Sequence, residues 1–544
     1  MNAVPTPAGC ATCSNATHTL NTALLPSIFN DAIGPVMRGP SSSHCAASVR
    51  IGRLARDLMG GDITSVLIEF DPNGSLATTH DGQGSDMGLC GGFLGWDATD
   101  ARLVDSEKAI REAGIEVDIR ISDIQASHPN TYKITLRNDA GEHVLVANST
   151  GGGMIEVIAI DGIPLHIDGD YHETLLVTHD DPDPIIKKLS ADSEWDEVIL
   201  CGLGTPSIIQ VKGQRFVSDG TLLDLDVAFE NIFHLNPVLP ISSRRDMTVP
   251  FITVDEMLTH LGKDENQGKA LWELAVDYEA ERGALERDEV LARMVAIVRL
   301  LKQSIKEGVA GTEFEDRILG FQCGKFNDMM NAGELLEGGM LNRMILYVTA
   351  LMEVKSSMGI IVAAPTAGSC GTLPGTVLAA AEAMELSDEV AAKGLLVGGL
   401  IGIFIAAHSS FAAEVGGCQA ETGSGAAMAA AALVDMAGGS VRQGLGAASM
   451  ALQNCLGLIC DPVANRVEVP CLGRNINGAA NAFTSANVSL ADFAEVIPLD
   501  EVIATHNDVG RNLPSSLRCT CLGGLSITRS AKAVEAKLSL LGEP

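Results

Sequence analysis

The chain has 544 residues, 46% of them hydrophobic but only 4% aromatic, and a formal charge of −32 at pH 7. That length exceeds what one hydrophobic core organises, so roughly two or three domains are expected. So acidic a chain lacks the basic face that nucleic acid or an anionic membrane surface requires, which argues against both as partners. Thirteen cysteines, an odd number, sit mostly in long apolar sequence with no compact disulfide framework, which suits a reducing compartment. The N-terminus has no charged segment followed by an apolar one, and the longest uncharged apolar run, Gly394 to Ala407, is too short to span a bilayer. A cytoplasmic protein without a membrane span is expected, and the large apolar fraction points to a homodimer.

In chain order, residues 1–23 are small, polar and Pro-bearing and read as a flexible arm. Its Cys10 and Cys13 have no second pair beside them and read as incidental. From Ile28 the pattern alternates. A turn, GPVMRGPSSSH, opens a helix, CAASVRIGRLARDLMGG, with the serines as N-cap residues. TSVLIEFD reads as a strand, and the Gly-rich loop THDGQGSDMG leads into another helix. IEVDIRI, TYKITLRN and HVLVANST alternate as antiparallel strands do, and STGGGMIEV closes an α+β domain over residues 24–170.

Residues 171–240 read as strand, turn, helix and two strands, then a Pro- and Ser-bearing linker, NPVLPISSRRDMTVP. This stretch is either an extension of the same α+β domain or an ACT-like regulatory module, which it loosely resembles. From about residue 250 to 540 the spacing is helical almost throughout, and after Met340 charges thin out while Ala and Gly dominate. The fold class expected is multi-domain: an N-terminal α+β domain followed by a mostly α-helical C-terminal domain.

The chemistry concentrates between Gly416 and Asn475. Cys418, Cys460 and Cys471 each sit in a Gly- or Pro-flanked turn beside apolar, helix-like sequence. Glycine removes the Cβ that would collide with a bulky inorganic group. Three thiolates without an equal fourth partner suggest an iron–sulfur cluster with one iron open to substrate. Gaps of forty-one and then ten residues match no compact ferredoxin pattern, and buried cysteines packed as small hydrophobes are the other reading of the spacing.

GCQAE, GLICDPVANRVEVPC and APTAGSCGTLPG resemble the α domain of iron–sulfur L-serine dehydratases, and GPSSSH and HPNT resemble that family's β domain. The resemblance runs from about Ile33 to about Thr528. It implies a 4Fe–4S cluster on Cys418, Cys460 and Cys471, with Asp461, Pro462 and Pro470 shaping the loops, and a small-molecule amino-acid substrate. It further implies that Ser41, Ser42, Ser43 and His44 form the substrate-carboxylate pocket, joined by His128, Asn130 and Thr131. Ser149 and Gly151, Gly152 and Gly153 are expected to line the same cavity. Thr366, Gly368 and Ser369 are expected to donate to substrate.

The sequence departs from the family at two places. Many members carry GHGTD, whose histidine is a favoured base; here the run is GQGSD, with Gln83 at that position. The catalytic base is then sought among His80, His44 and His128, and L-threonine or another β-substituted amino acid becomes an alternative substrate. Some members end in a cysteine that covers the open iron, whereas this chain ends LSLLGEP. Cys519 and Cys521 read as ordinary buried thiols, with cover of the iron as their alternative role, and Cys370 is a further thiol of that kind. A pyridoxal-phosphate dehydratase, with the triple glycine as phosphate cradle, is disfavoured because lysines are nearly absent from the motif-bearing stretches. A cluster-bearing amino-acid sensor without turnover is the alternative from another class.

Overall fold

The computed structural model describes residues 25–202, 204–314 and 317–539. Cys10, Cys13, the whole of the expected N-terminal arm and the terminal LLGEP lie outside the described residues. The described chain has an N-terminal part of mixed helices and sheets and a mostly helical C-terminal part, as expected.

A six-stranded sheet organises the first part, in the order 116–121, 65–70, 131–138, 141–151, 154–160, 163–167. Alternation along Ser65–Phe70 turns Val66, Ile68 and Phe70 inward, the period-two pattern of a strand with one buried face. Helices Ala47–Leu58 and Ser85–Phe93 cover that face. They cross closely because a Cβ on Gly92 would lie 2.5 Å from the Val49 carbonyl oxygen. Glu116–Ile121 corrects the sequence expectation. It lies parallel to Ser65–Phe70 at the sheet edge rather than antiparallel to its successors. Helices intervene between the two strands, and a helical crossover returns a chain to the sheet in parallel.

Residues 172–235 build a second, fully antiparallel sheet in the order 231–235, 172–178, 207–213, 195–201. Its two faces divide by residue parity: Leu175 and Val177 join the core of the first sheet, whereas Leu176 packs on Ile185 and Leu189 of helix Pro182–Ser190. The stretch 236–250 is irregular, with bends and a turn, and Asn30 pins it by exchanging hydrogen bonds with Ile241, 2.8 Å to the carbonyl and 3.0 Å from the amide.

Helix Asp388–His408 lies at the centre of the helical part, and Ser387 caps it. It is apolar all round, so it must be buried all round. By length and composition it is long enough to cross a bilayer, yet 78% of its most apolar window is buried in the protein, so it is a core helix. The two parts interlock. Strand Val36–Arg38 pairs antiparallel with Ile360–Val362 of the helical part, and Ile28–Ala32 packs against the central helix at Gly399 and Gly402. Residues 28–37 thus share the helical core rather than that of the first sheet.

Candidate metal centre and substrate cavity

The thiol-bearing loops meet where glycine lets backbone touch backbone. Gly417 has φ +74°, and a Cβ there would lie 2.8 Å from the Leu458 carbonyl oxygen. The next amide, Gln419 N, donates to that carbonyl at 3.0 Å. Cys460 is held from its other side: its N–H donates to Leu517 O at 2.8 Å, and Cys519 N–H donates to Cys460 O at 2.9 Å. Cys471 opens helix Cys471–Leu490 directly after Pro470.

These elements set Cys418 beside Cys460, and Cys460 on one cavity wall with Cys471. Cys418, Cys460 and Cys519 share one buried cluster, and Cys460, Cys471 and Cys519 line one narrow cavity. The ligand atoms of Cys418, Glu421 and Cys460 lie within 4.8 Å of one another, as metal donors do. The neighbouring Cys418 and Cys519 thiols, together with burial, push the Cys460 thiol up, and burial does the same to Cys471. Such thiols keep their protons until a metal replaces them. Arg474 complements the sulfurs: Nη1 donates to Cys418 Sγ at 3.2 Å and Nη2 to Asp461 Oδ1 at 2.7 Å. Asp461, 2% exposed, also accepts from Leu525 N at 2.7 Å. A buried set of thiols with a cation donating to one sulfur fits a thiolate-held centre.

The opposite wall comes from the N-terminal part. Ser42–Ala46 forms one wide helical turn before helix Ala47–Leu58, and the serine side chains do not cap it. Ser41 Oγ and Ser43 Oγ instead lie 3.0 and 3.2 Å from His44 Nδ1, and Ser43 Oγ donates to Glu414 Oε1 at 2.8 Å. Ser42 Oγ accepts from Ala367 N at 3.1 Å, joining the two parts. His44 Nε2 meets Thr79 Oγ1 at 2.8 Å, and Thr79 donates to Ser75 O, whose own hydroxyl donates to Asn130 Oδ1. Full burial lowers the His44 pKa to about 4, so at neutral pH its ring is uncharged and able to accept a proton.

The other predicted residues sit at different depths. Ser41, Ser43 and Gly368 line the cavity, as does Gln83, whose Nε2 donates weakly to Cys519 Sγ at 3.9 Å. Thr366 Oγ1 donates to Glu421 Oε1 at 2.6 Å, and Ser369 Oγ closes the same turn by accepting from Thr366 N at 3.3 Å. Asn130 and Ser149 are fully buried one layer out, joined by Ser149 N to Asn130 O at 3.0 Å. Asn130 Nδ2 and Ser149 Oγ have no partner among the described residues. Thr131 Oγ1 donates to Asn148 Oδ1 at 2.7 Å. Gly151 lies against the Ala412 backbone and Gly153 against Pro35, so the triple glycine is a joint between the two parts.

His80 is not among the lining residues. Its Nδ1 is 2.7 Å from Asp86 Oδ2, and although burial works against its charged form, that carboxylate raises its pKa. His128, half-buried with its pKa lowered by burial, accepts from Asn130 N at 3.2 Å. Of the three extra thiols, Cys519 faces the cavity. Cys370 turns to Met352 Sδ at 3.7 Å, and Cys521 donates to Asn465 Oδ1 at 2.7 Å.

Sequence reading passed over two residues, Glu414 and Glu421, both on the cavity wall. Burial pushes the Glu421 carboxyl up to about 7. The signal was present: FAAEVGGCQAE places an acid four residues before and three after Cys418, in a run otherwise free of charge. It also passed over Lys355, which is fully buried and donates to Val467 O on the loop leading to Cys471.

Comparison with known proteins agrees with this architecture. The family described as Serine dehydratase alpha chain matches residues 266–526. The probable L-serine dehydratase alpha chain of Latilactobacillus sakei is 47% identical over 194 residues, 36% of this chain and 92% of that protein. The probable L-serine dehydratase beta chain of Bacillus subtilis (strain 168) is 35% identical over 206 residues, 37% of this chain and 92% of that one. The L-serine dehydratase of Streptomyces coelicolor is 27% identical over 501 residues, 90% of this chain and 96% of that protein. The chain belongs to the L-serine dehydratase family, with its β-type and α-type parts on a single polypeptide.

Proposed function

We propose that the protein is an L-serine ammonia-lyase that converts L-serine to pyruvate and ammonium in the cavity between its two parts, with a 4Fe–4S cluster held by Cys418, Cys460 and Cys471. The pairing of Cys460 and Cys471 on one cavity wall, with Cys418 packed beside Cys460 and Ser41 and Ser43 on the same cavity, carries this reading. Such a cluster supplies an open iron, a Lewis acid that turns the β-hydroxyl into a better leaving group. Arg474 steadies the Cys418 sulfur, and Asp461 fixes Arg474.

Ser41 faces the substrate from the β-type wall and holds its carboxylate by a donated hydrogen bond, while Ser43 donates its own proton to Glu414 and orients that side chain. A histidine takes the α-proton. His44 is the candidate in contact with both lining serines, and its neutral ring accepts the proton next to the Glu414 carboxylate, 3.8 Å away. The C–H electron pair becomes the new Cα=Cβ bond as the β-oxygen departs, and the resulting aminoacrylate hydrolyses to pyruvate and ammonium. Cys519 stands beside Cys460 on the same cavity and is the thiol that would shield such a centre between turnovers.

The test is anaerobic purification with iron and sulfide analysis, followed by ammonia release from L-serine, L-threonine, L-cysteine and their D-forms. Brown protein with a broad visible absorbance that bleaches in air, and turnover of L-serine above the others, is the expected result. Colourless, iron-free protein that still deaminates L-serine would falsify the cluster mechanism.

A further inference from the structure

An amino-acid substrate enters this cavity with a cation at its α-carbon, and a buried cation needs an anionic partner to offset its lost hydration. Apart from the thiols, the ionisable side chains on the wall are Glu414 and Glu421. They flank Cys418 on one short segment, from helix Ala413–Gly416 into the turn Gln419–Gly423. Each is held by a hydroxyl and keeps acceptor capacity over: Ser43 Oγ donates to Glu414 Oε1 at 2.8 Å, and Thr366 Oγ1 donates to Glu421 Oε1 at 2.6 Å. Glu414 is 6% exposed, and its ring neighbour His44 is 3.8 Å away and uncharged at neutral pH. The wall is cut back to admit the second carboxylate, since a Cβ on Gly368 would lie 2.5 Å from Glu421 Oε1.

We infer that Glu414 and Glu421 together grip the α-ammonium of the substrate and so set the selectivity of the cavity for α-amino acids over hydroxy acids that lack the ammonium. The inference rests on the proposed reaction and adds to it a recognition element supplied wholly by the α-type part. Its logic is charge placement: the wall offers the ammonium two carboxylates, and Ser41, whose hydroxyl neighbours Ser43 and His44 rather than either glutamate, is left for the carboxylate end. A hydroxy acid such as L-glycerate, which carries a hydroxyl in place of the ammonium, leaves both carboxylates without their cation.

The experiment uses the full-length, anaerobically loaded enzyme. Iron per chain, KM and kcat for L-serine, and inhibition by L-glycerate are measured in the wild type, Glu414→Gln and Glu421→Gln. Losing one charge-assisted contact is expected to raise KM about 10- to 100-fold with iron unchanged; kcat falls much less in Glu421→Gln, whereas Glu414→Gln, which also removes the carboxylate beside His44, loses kcat as well. L-Glycerate, a poor inhibitor of the wild type, is expected to bind both variants at least as well. An unchanged KM, a kcat collapse at constant KM, or loss of iron in either variant overturns the inference. If Glu414→Gln does not fold, Glu421→Gln and the wild-type comparison still decide, because L-glycerate inhibition as tight as the L-serine KM excludes the grip. Wild-type enzyme that releases no ammonia from L-serine refutes the proposed reaction; turnover with variants unaffected refutes the grip alone.

Discussion

The two parts that wall the cavity hold their residues by different means. The helical part uses close packing: Gly308 and Gly375 let helix backbones meet where a Cβ would collide, and Gly417 does the same for the loop that carries Cys418. The N-terminal part uses a hydrogen-bonded chain through Ser43, His44, Thr79, Ser75 and Asn130, in which each hydroxyl is fixed by the next group. Packing is indifferent to protonation and fails when a volume is changed. A polar chain fails when one atom is removed, and titratable groups make it answer to pH. The same cavity is thus vulnerable in two chemically distinct ways.

The largest effect expected on the helical side is from Cys460→Ala, which removes the sulfur between Cys418 and Cys519. Visible absorbance, bound iron and ammonia release should all disappear together in anaerobic preparations. Full turnover without that sulfur contradicts the proposed centre. Ser43→Ala tests the other wall with a single oxygen. It strips Glu414 of its 2.8 Å donor and His44 of a neighbour, so kcat/KM for L-serine should drop about 10- to 100-fold, the cost of an unmet buried polar group. Iron content should stay at the wild-type level, and a matching loss of iron would show that the two walls are not independent.

The difference between the walls also decided what was legible in the sequence. Cys418, Cys460 and Cys471 stand out because Gly and Pro punctuate a charge-poor run around them. The buried helix over 394–407 is equally visible because it is apolar all round. From the residues alone the serines read as helix caps, since Ser before a helix is one of the commonest local patterns, and only the family resemblance assigns them to the substrate. Only the fold shows Ser43 Oγ turned to a glutamate 371 positions away. Glu414 and Glu421 were missed for the same reason: an acid in an Ala/Gly-rich segment carries no periodicity that tells a cavity wall from a solvated turn. The parallel pairing of Glu116–Ile121 was hidden too, because alternation reports a strand but not the direction of its partner.

Gly308→Ala probes packing away from any titratable site. The new Cβ would meet the Ala350 carbonyl oxygen, carbon and Cα at 2.5, 2.7 and 2.8 Å, all backbone atoms that cannot rotate aside. Forcing helices Arg287–Ala310 and Met340–Ser356 apart costs about 1–3 kcal/mol, which outweighs the roughly 1 kcal/mol that Ala gains over Gly in a helix. The loss should appear as a lower urea midpoint of about the same size at every pH, because no proton moves.

The smallest expected effect lies on the polar side, at His166. Its ring is 2.8 Å from Asp168 and 3.1 Å from Glu156, and those carboxylates raise its pKa to about 10. A raised imidazole pKa contributes stability that is complete below the unfolded value of about 6.5 and is lost as pH climbs through the folded value. The side chain is 56% exposed, so solvent screening limits the gain to about 1 kcal/mol or less. His166→Gln should therefore lower the urea midpoint at pH 6 and leave it close to wild type at pH 10.5. Gly308→Ala should shift it equally at both. A pH-independent deficit in His166→Gln would mean that the ring acts by packing, like the glycines of the helical part, and would erase the contrast at this edge of the sheet.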